Sequence, residues 1–203
     1  MKIICLGLNY RQHCIETGWQ FPVEPVVFLK PDSALLKNNK PFFLPDFLEN
    51  IHYEAEVVVK ISKLGKSIAA KYASRYYNEV TVGIDITARS LQNRQIKAGL
   101  PWDLAKGFDG SAPIGTFIPL SEAGNIDNLD FSLKINGKTV QESNTSDLIF
   151  SVDTVIEYVS KFYTLKTGDI IFTGTPSGVG KLNKNDNLVA YLGNKPVLDF
   201  VIK

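Results

Sequence analysis

The chain has 203 residues, is 44% hydrophobic and 21% charged, and carries a net charge of +1 at pH 7. That balance supplies no electrostatic drive toward nucleic acid or an anionic membrane, so the expected partner is a small molecule. No apolar run approaches the roughly 20 residues that span a bilayer, and the short N-terminal run Ile3-Ile4-Cys5-Leu6 is not a signal peptide, which makes a cytoplasmic location the expectation. Cys5 and Cys14 have no metal-ligand spacing and read as free thiols, and one domain accommodates residues 1–203.

Taken in order, Lys2 to Leu6 reads as a strand stopped by Gly7, and Asn9 to Glu16 as a short helix or turn ended by Gly18. His13 and Glu16, three apart, share a helical face, where they are either a general-base pair or part of a solvated surface. Val26 to Leu29 is a strand broken by Lys30-Pro31, and Pro22, Pro25, Pro41 and Pro45 punctuate a loop-rich region. Within it, Glu16 to Pro25, with Trp19 and Phe21, is a candidate lid or an ordered surface loop.

The stretch His52-Tyr53-Glu54-Ala55-Glu56 opens the apolar run Val57-Val58-Val59. In one extended strand His52, Glu54 and Glu56 point to the same face. Carboxylates that close repel unless water or a cation stands between them. His52 shares their face and either joins them as a ligand or starts the strand with a backbone partner. Ser67 to Asn78 reads as a helix with Ser67 as N-cap. Val80 to Thr87 reads as a strand that puts Asp85 on a polar face beside Gly83, a position suited to close approach of a ligand or another backbone. Ala88 to Lys97 is helical in pattern and sets Arg89 and Gln92 on one face.

Lys106 opens a turn-rich stretch to Gly115, where a lysine is ordinarily a solvated charge. Asn136-Gly137, between Phe131 to Ile135 and Lys138 to Gln141, predicts a type I′ hairpin. Ser151 to Phe162 predicts a helix whose core contacts are Val152, Val155, Ile156, Val159 and Phe162. Ile170 to Thr173 is a strand leading into the loop Gly174 to Lys181. That loop fails the phosphate-binding pattern, with Thr175 in place of the first glycine and Leu182 in place of the Ser or Thr that would hold magnesium. Leu188 to Leu192 and Val197 to Ile202 close the chain as strands around Gly193-Asn194. Many short strands, few helices and no βαβ rhythm predict a β-rich α+β fold with mixed or antiparallel sheet.

Glu54, Glu56 and Asp85 form an all-oxygen set. Such a set suits Mg²⁺ first and Mn²⁺ second, whereas Zn²⁺ would recruit Cys or His; a polar sheet face is the other reading.

Several of these stretches, in order, resemble the fumarylacetoacetate hydrolase family: Gly7-Leu8-Asn9-Tyr10 with His13 and Glu16, Phe28-Leu29-Lys30-Pro31, His52 to Glu56, Asp85-Ile86-Thr87-Ala88-Arg89 with Gln92, and Lys106-Gly107-Phe108-Asp109. Asn136-Gly137 with Gln141, Asn144 and Thr145, and Gly168-Asp169-Ile170-Ile171-Phe172-Thr173-Gly174 running on to Gly180, complete the resemblance over nearly the whole chain. It implies the family's β-rich fold of mixed sheets around a central site, a homodimer, and Mg²⁺ or Mn²⁺ on Glu54, Glu56 and Asp85. It also implies a lid that carries His13 and Glu16 and activates water, and Lys106, Arg89, Gln92, Thr175 and Lys30 around a 2-oxo acid substrate. Leu8 stands where many relatives carry Arg, and Thr116 follows Gly115 where Pro is common.

The function the resemblance implies is Mg²⁺-dependent cleavage of a carbon–carbon bond in an acylpyruvate, with His13 and Glu16 activating water and Lys106 adding positive charge. Decarboxylation of oxaloacetate or isomerisation of an unsaturated 2-oxo diacid on the same site is the alternative. A metabolite-binding protein without catalysis is the third reading.

Overall fold

Val57, Val58 and Val59 are all fully buried because their strand lies in the middle of a sheet covered on both faces. The computed structural model describes residues 1–203. Its largest sheet has six strands in the order Val26–Lys30, Ile3–Gly7, Ile170–Phe172, Ala55–Ile61, Tyr77–Ile84 and Ile118–Pro119. Ile3–Gly7 runs parallel to Ile170–Phe172, and every other neighbour in this sheet is antiparallel. The β-rich α+β expectation holds.

A second, antiparallel sheet orders Lys138–Asn144, Asp130–Ile135, Asn187–Leu192 and Lys195–Val201. Its first hairpin turns at Asn136 and Gly137, both at positive φ as a type I′ turn requires. Val57 and Val82 of the large sheet share one core with Leu133 and Ala190 of the small one. On the other face Val58 packs with Cys5 and Phe172. The helix Val152–Phe162 is capped by Ser151, whose side chain accepts the Thr154 N–H, and it buries Val152, Val155, Ile156 and Val159. Phe162, expected in that core, is exposed instead.

Three expectations change. Only Ala70–Ala73 of the Ser67 to Asn78 segment is helical, and Ser67 sits at φ 50 rather than capping a helix. The strand begins at Tyr77 because pairing with Ala55–Ile61 outcompetes continued helix. That same strand ends at Ile84, so Asp85 lies just beyond it. The single strand through Glu54 is two, Ile51–Tyr53 and Ala55–Ile61, which pair in different sheets. No helix is long and apolar enough to cross a membrane.

Candidate active site

The break at Glu54 builds the site. Ile51–Tyr53 pairs with Thr87–Ala88 on one side and Gly180–Lys181 on the other. Between the two strands, side chains take over from the ladder. The Ala55 N–H donates to Gln141 Oε1 at 2.9 Å, and Thr175 Oγ1 donates to the Ala55 carbonyl at 2.9 Å. The Asp85 N–H donates to the Glu54 carbonyl at 2.8 Å, which fixes these two acids side by side through their backbones. Gly83 faces Glu56 across the strands, and a Cβ there would stand 2.7 Å from the Phe172 ring. Its missing side chain therefore serves packing against Phe172, not approach of a ligand.

Glu54, Glu56 and Asp85 are buried, and each offers an oxygen within 4.8 Å of the others. Lys106 Nζ donates to Glu54 Oε2 at 2.7 Å, Asp85 Oδ2 at 2.6 Å and Thr87 Oγ1 at 2.7 Å. Arg89 donates to the other Glu54 oxygen and, at 2.6 Å, to Gln92 Oε1. Lys30 Nζ forms a buried ion pair with Asp85 Oδ1 at 2.7 Å. Glu56 Oε2 accepts the Gly174 N–H at 2.7 Å, while Oε1 is buried with no partner.

The electrostatics follow from this layout. Burial alone would raise the Glu54 carboxyl, but Lys106 and Arg89 outweigh it and hold the group well below the usual carboxylate range. Burial alone would lower Lys106, and Asp85 and Glu54 reverse that and hold it above the usual lysine value. Glu56 has no such cation: burial, then Asp85 and Glu54, push it well up. The buried, unpartnered Glu56 Oε1, in an all-carboxylate set, fits an oxygen-preferring divalent cation. Three carboxylates face Lys30, Arg89 and Lys106, so a divalent cation would leave the cluster with an excess of two positive charges and a demand for an anionic ligand.

Beside the cluster is a cavity of about 360 Å³. Its polar wall carries His13, His52, Glu54, Arg89, Gln92, Lys106 and Thr175, and its apolar wall includes Leu8, Trp19, Phe28 and Trp102. His13 comes from the helix Arg11–Thr17, where its Nδ1 meets Glu16 Oε2 at 3.2 Å. A carboxylate partner on Nδ1 assigns the proton there and leaves Nε2 as the base. Glu16 Oε1 in turn accepts the Gly178 N–H at 3.0 Å. The approach to the helix is pinned by Asn9, whose side chain donates to the Thr173 carbonyl at 2.8 Å and accepts the Phe150 N–H at 2.8 Å. Leu8 just before it is held at φ 57. His13 is buried, whereas Trp19 borders the cavity half-exposed, and Phe21 and Val23 are exposed.

The structure thus gathers His13, Glu54, Lys106, Arg89, Gln92 and Thr175 on one cavity, with Glu16 behind His13 and with Glu56 and Asp85 next to Glu54. Lys106 is buried, not the solvated charge its turn-rich surroundings suggest. Lys30 corrects another expectation: its side chain has no exposure and lies against Asp85 and the carbonyls of Ile86, Lys106 and Ser111, away from the cavity wall. Its positive charge lies against a carboxylate. His52 does not join the carboxylate cluster; it lines the cavity, and burial followed by Arg89 pushes its pKa down. Two functional groups escaped the residue patterns, the N–H groups of Gly174 and Gly178. The glycine loop that fails as a phosphate cradle turns the same kind of amide donors onto the protein's own Glu56 and Glu16.

The chain is thus a β-rich α+β protein with a buried three-carboxylate cluster beside a small cavity that a paired imidazole also faces. The model for the fumarylacetoacetate (FAA) hydrolase C-terminal region matches residues 2–201. An oxaloacetate tautomerase from Caenorhabditis elegans, described as mitochondrial, is 42% identical over 91% of this chain and 86% of its own length. The oxaloacetate tautomerase YcgM of Escherichia coli is 39% identical over 92% of this chain and 86% of its own length. Among solved structures, a fumarylacetoacetate hydrolase family protein from Yersinia pestis superposes with a TM-score of 0.96 at 41% identity, covering 100% of this chain and 93% of that one. Fumarylpyruvate hydrolase from Pseudomonas aeruginosa, in complex with Mn²⁺ and pyruvate, gives 0.94 at 34% identity, covering 100% and 89%. The chain belongs to the fumarylacetoacetate hydrolase family.

Proposed function

We propose that this protein is an oxaloacetate tautomerase that works with Mg²⁺ or Mn²⁺ bound by Glu54, Glu56 and Asp85. The observation that carries the reading is the His13–Glu16 pair, whose imidazole borders the same small cavity as Glu54, Lys106 and Arg89. The likeness to two oxaloacetate tautomerases, at 42% and 39% identity, supports proton transfer as the reaction over acylpyruvate hydrolysis. When bound, the cation would supply Lewis acidity toward the 2-oxo acid head of the substrate.

The chain's own groups do the rest. His13 Nε2 takes a proton from the carbon next to the 2-oxo carbon and returns it to the 2-oxo oxygen to give the enol, and the reverse sequence returns the keto form. Glu16 keeps the imidazole in the required tautomer and stabilises its protonated form. The Lys106 ammonium, fixed by Glu54, Asp85 and Thr87, adds positive potential where negative charge gathers on oxygen. Arg89 and Gln92 brace each other and Glu54 along the same wall.

Hydrolysis of an acylpyruvate is the second reading, favoured by the same imidazole's capacity to activate water and by the likeness to a fumarylpyruvate hydrolase at 34% identity. One panel separates them: decay of the enol absorbance of oxaloacetate, release of CO₂ from oxaloacetate, and cleavage of acetylpyruvate, each with Mg²⁺ and with chelator. The expected result is a Mg²⁺-dependent acceleration of enol decay that chelator abolishes. Brisk acetylpyruvate cleavage without any effect on enol decay overturns the tautomerase reading.

A further inference from the structure

The helix Arg89–Lys97 turns one face to the cavity, through Arg89, Gln92, Asn93, Ile96 and Lys97. These positions follow i, i+3, i+4, i+7 and i+8, the spacing of a single helical stripe. Arg89, at the start, is committed to Glu54, and Lys106 across the cavity is committed to Glu54 and Asp85. Lys97, at the far end, is the remaining lysine or arginine on the wall, and it has no carboxylate partner. Eight residues of helix place its Cα roughly 12 Å along the axis from that of Arg89. Helical side chains lean toward the N-terminus, so the lysine stem runs back over Asn93 and shortens the gap.

The apolar lining of the cavity includes Leu8, Trp19, Phe28, Ile96 and Trp102, with the Phe28 ring 5.3 Å from Lys106 Nζ at the cluster end. Lys97 is exposed, and its long stem leaves the ammonium free to turn onto a ligand's distal carboxylate. From this geometry we propose that Lys97 anchors the distal carboxylate of a dicarboxylate substrate, and so sets the preference for 2-oxo diacids over 2-oxo monoacids. The inference rests on the tautomerase reading for its choice of substrate, but its chemistry is separable from it. The head of the substrate is held at the carboxylate cluster, the tail meets the ammonium, and the aromatic side chains line the space between.

The test compares wild type, Lys97→Met and Lys97→Arg, each loaded with Mg²⁺. Enol–keto turnover is followed for oxaloacetate and for its 4-ethyl ester, which keeps the 2-oxo acid head and lacks the distal charge. The expected result is a fall of at least tenfold in the ratio of kcat/KM for diacid over ester in Lys97→Met, carried by KM, with most of the ratio regained in Lys97→Arg. A second arm measures calorimetric affinity for 2-oxoglutarate against 2-oxobutanoate, which needs no turnover. Lys97→Met should erase the wild type's preference for the diacid. If neither oxaloacetate nor its ester is turned over, the tautomerase reading fails while the calorimetric arm still decides the role of Lys97. A ratio unchanged by Lys97→Met, or a wild type without diacid preference in the binding arm, overturns the proposal.

Discussion

Glu16 joins the His13 imidazole at 3.2 Å through one carboxylate oxygen and accepts the Gly178 N–H through the other. The helix that carries both residues is thereby tied to the glycine loop. Glu16→Gln keeps the size and one acceptor but removes the charge that stabilises the protonated ring. Turnover should fall by about 10- to 100-fold while cation affinity, read by Mn²⁺ titration, stays as in wild type. Equal turnover in the variant would show that the pair does not handle the proton.

Glu56 is the least compensated of the three acids, with one oxygen orphaned and two carboxylates as neighbours. Glu56→Gln should weaken Mn²⁺ or Mg²⁺ binding at least tenfold and, in cation-free protein, raise the melting temperature, because the cost of burying a carboxylate, and then its repulsion by Asp85 and Glu54, is removed. Unchanged cation affinity, measured by calorimetry, would remove Glu56 from the site.

Lys30 braces Asp85 with no exposure of its own. Lys30→Met strands a buried carboxylate oxygen of Asp85, while the carbonyls of Lys106 and Ser111 keep the Ser111 hydroxyl and the Ile86 N–H as donors, so unfolding free energy should drop by about 3–5 kcal/mol in denaturant titration. A loss under about 1 kcal/mol would mean that the pair is dispensable for folding.

His52 has its pKa pushed below the ordinary 6.5, first by burial and then by Arg89. The unfolded chain therefore binds a proton at a pH where the folded protein resists it, and stability is lost as pH falls below 6.5. In cation-free protein, His52→Gln should flatten the acid side of a melting-temperature profile just below that pH. A profile identical to wild type would mean that His52 does not contribute to it.

The sequence was most legible where local chemistry and tertiary pairing agree. Asn136-Gly137 suits its turn on backbone grounds alone, and the stripe from Val152 to Val159 needs only one apolar surface to pack on. Ser67 to Asn78 read wrongly because the strand at Tyr77 is stabilised by residues some twenty positions earlier, which a local pattern does not contain. The pairing of Glu54 with Glu56 was visible in the strand period, yet the interruption at Glu54 depends on Gln141 and Thr175, distant in sequence. Lys106 and Lys30 carried no local sign of burial. Their family motifs marked both as site residues, but only the fold separates the one that borders the cavity from the one that stands behind Asp85. The amide donors of Gly174 and Gly178 left a faint trace in glycines, both of which adopt positive φ.

If His13 moves the substrate proton beside a cation held by Glu54, Glu56 and Asp85, its loss must slow the decay of enol-oxaloacetate, measured in wild type and His13→Ala, both with Mg²⁺ binding verified by calorimetry. A drop of about 10²–10⁴-fold in His13→Ala, at matched cation occupancy, is the predicted result. Equal rates in the two proteins would contradict it.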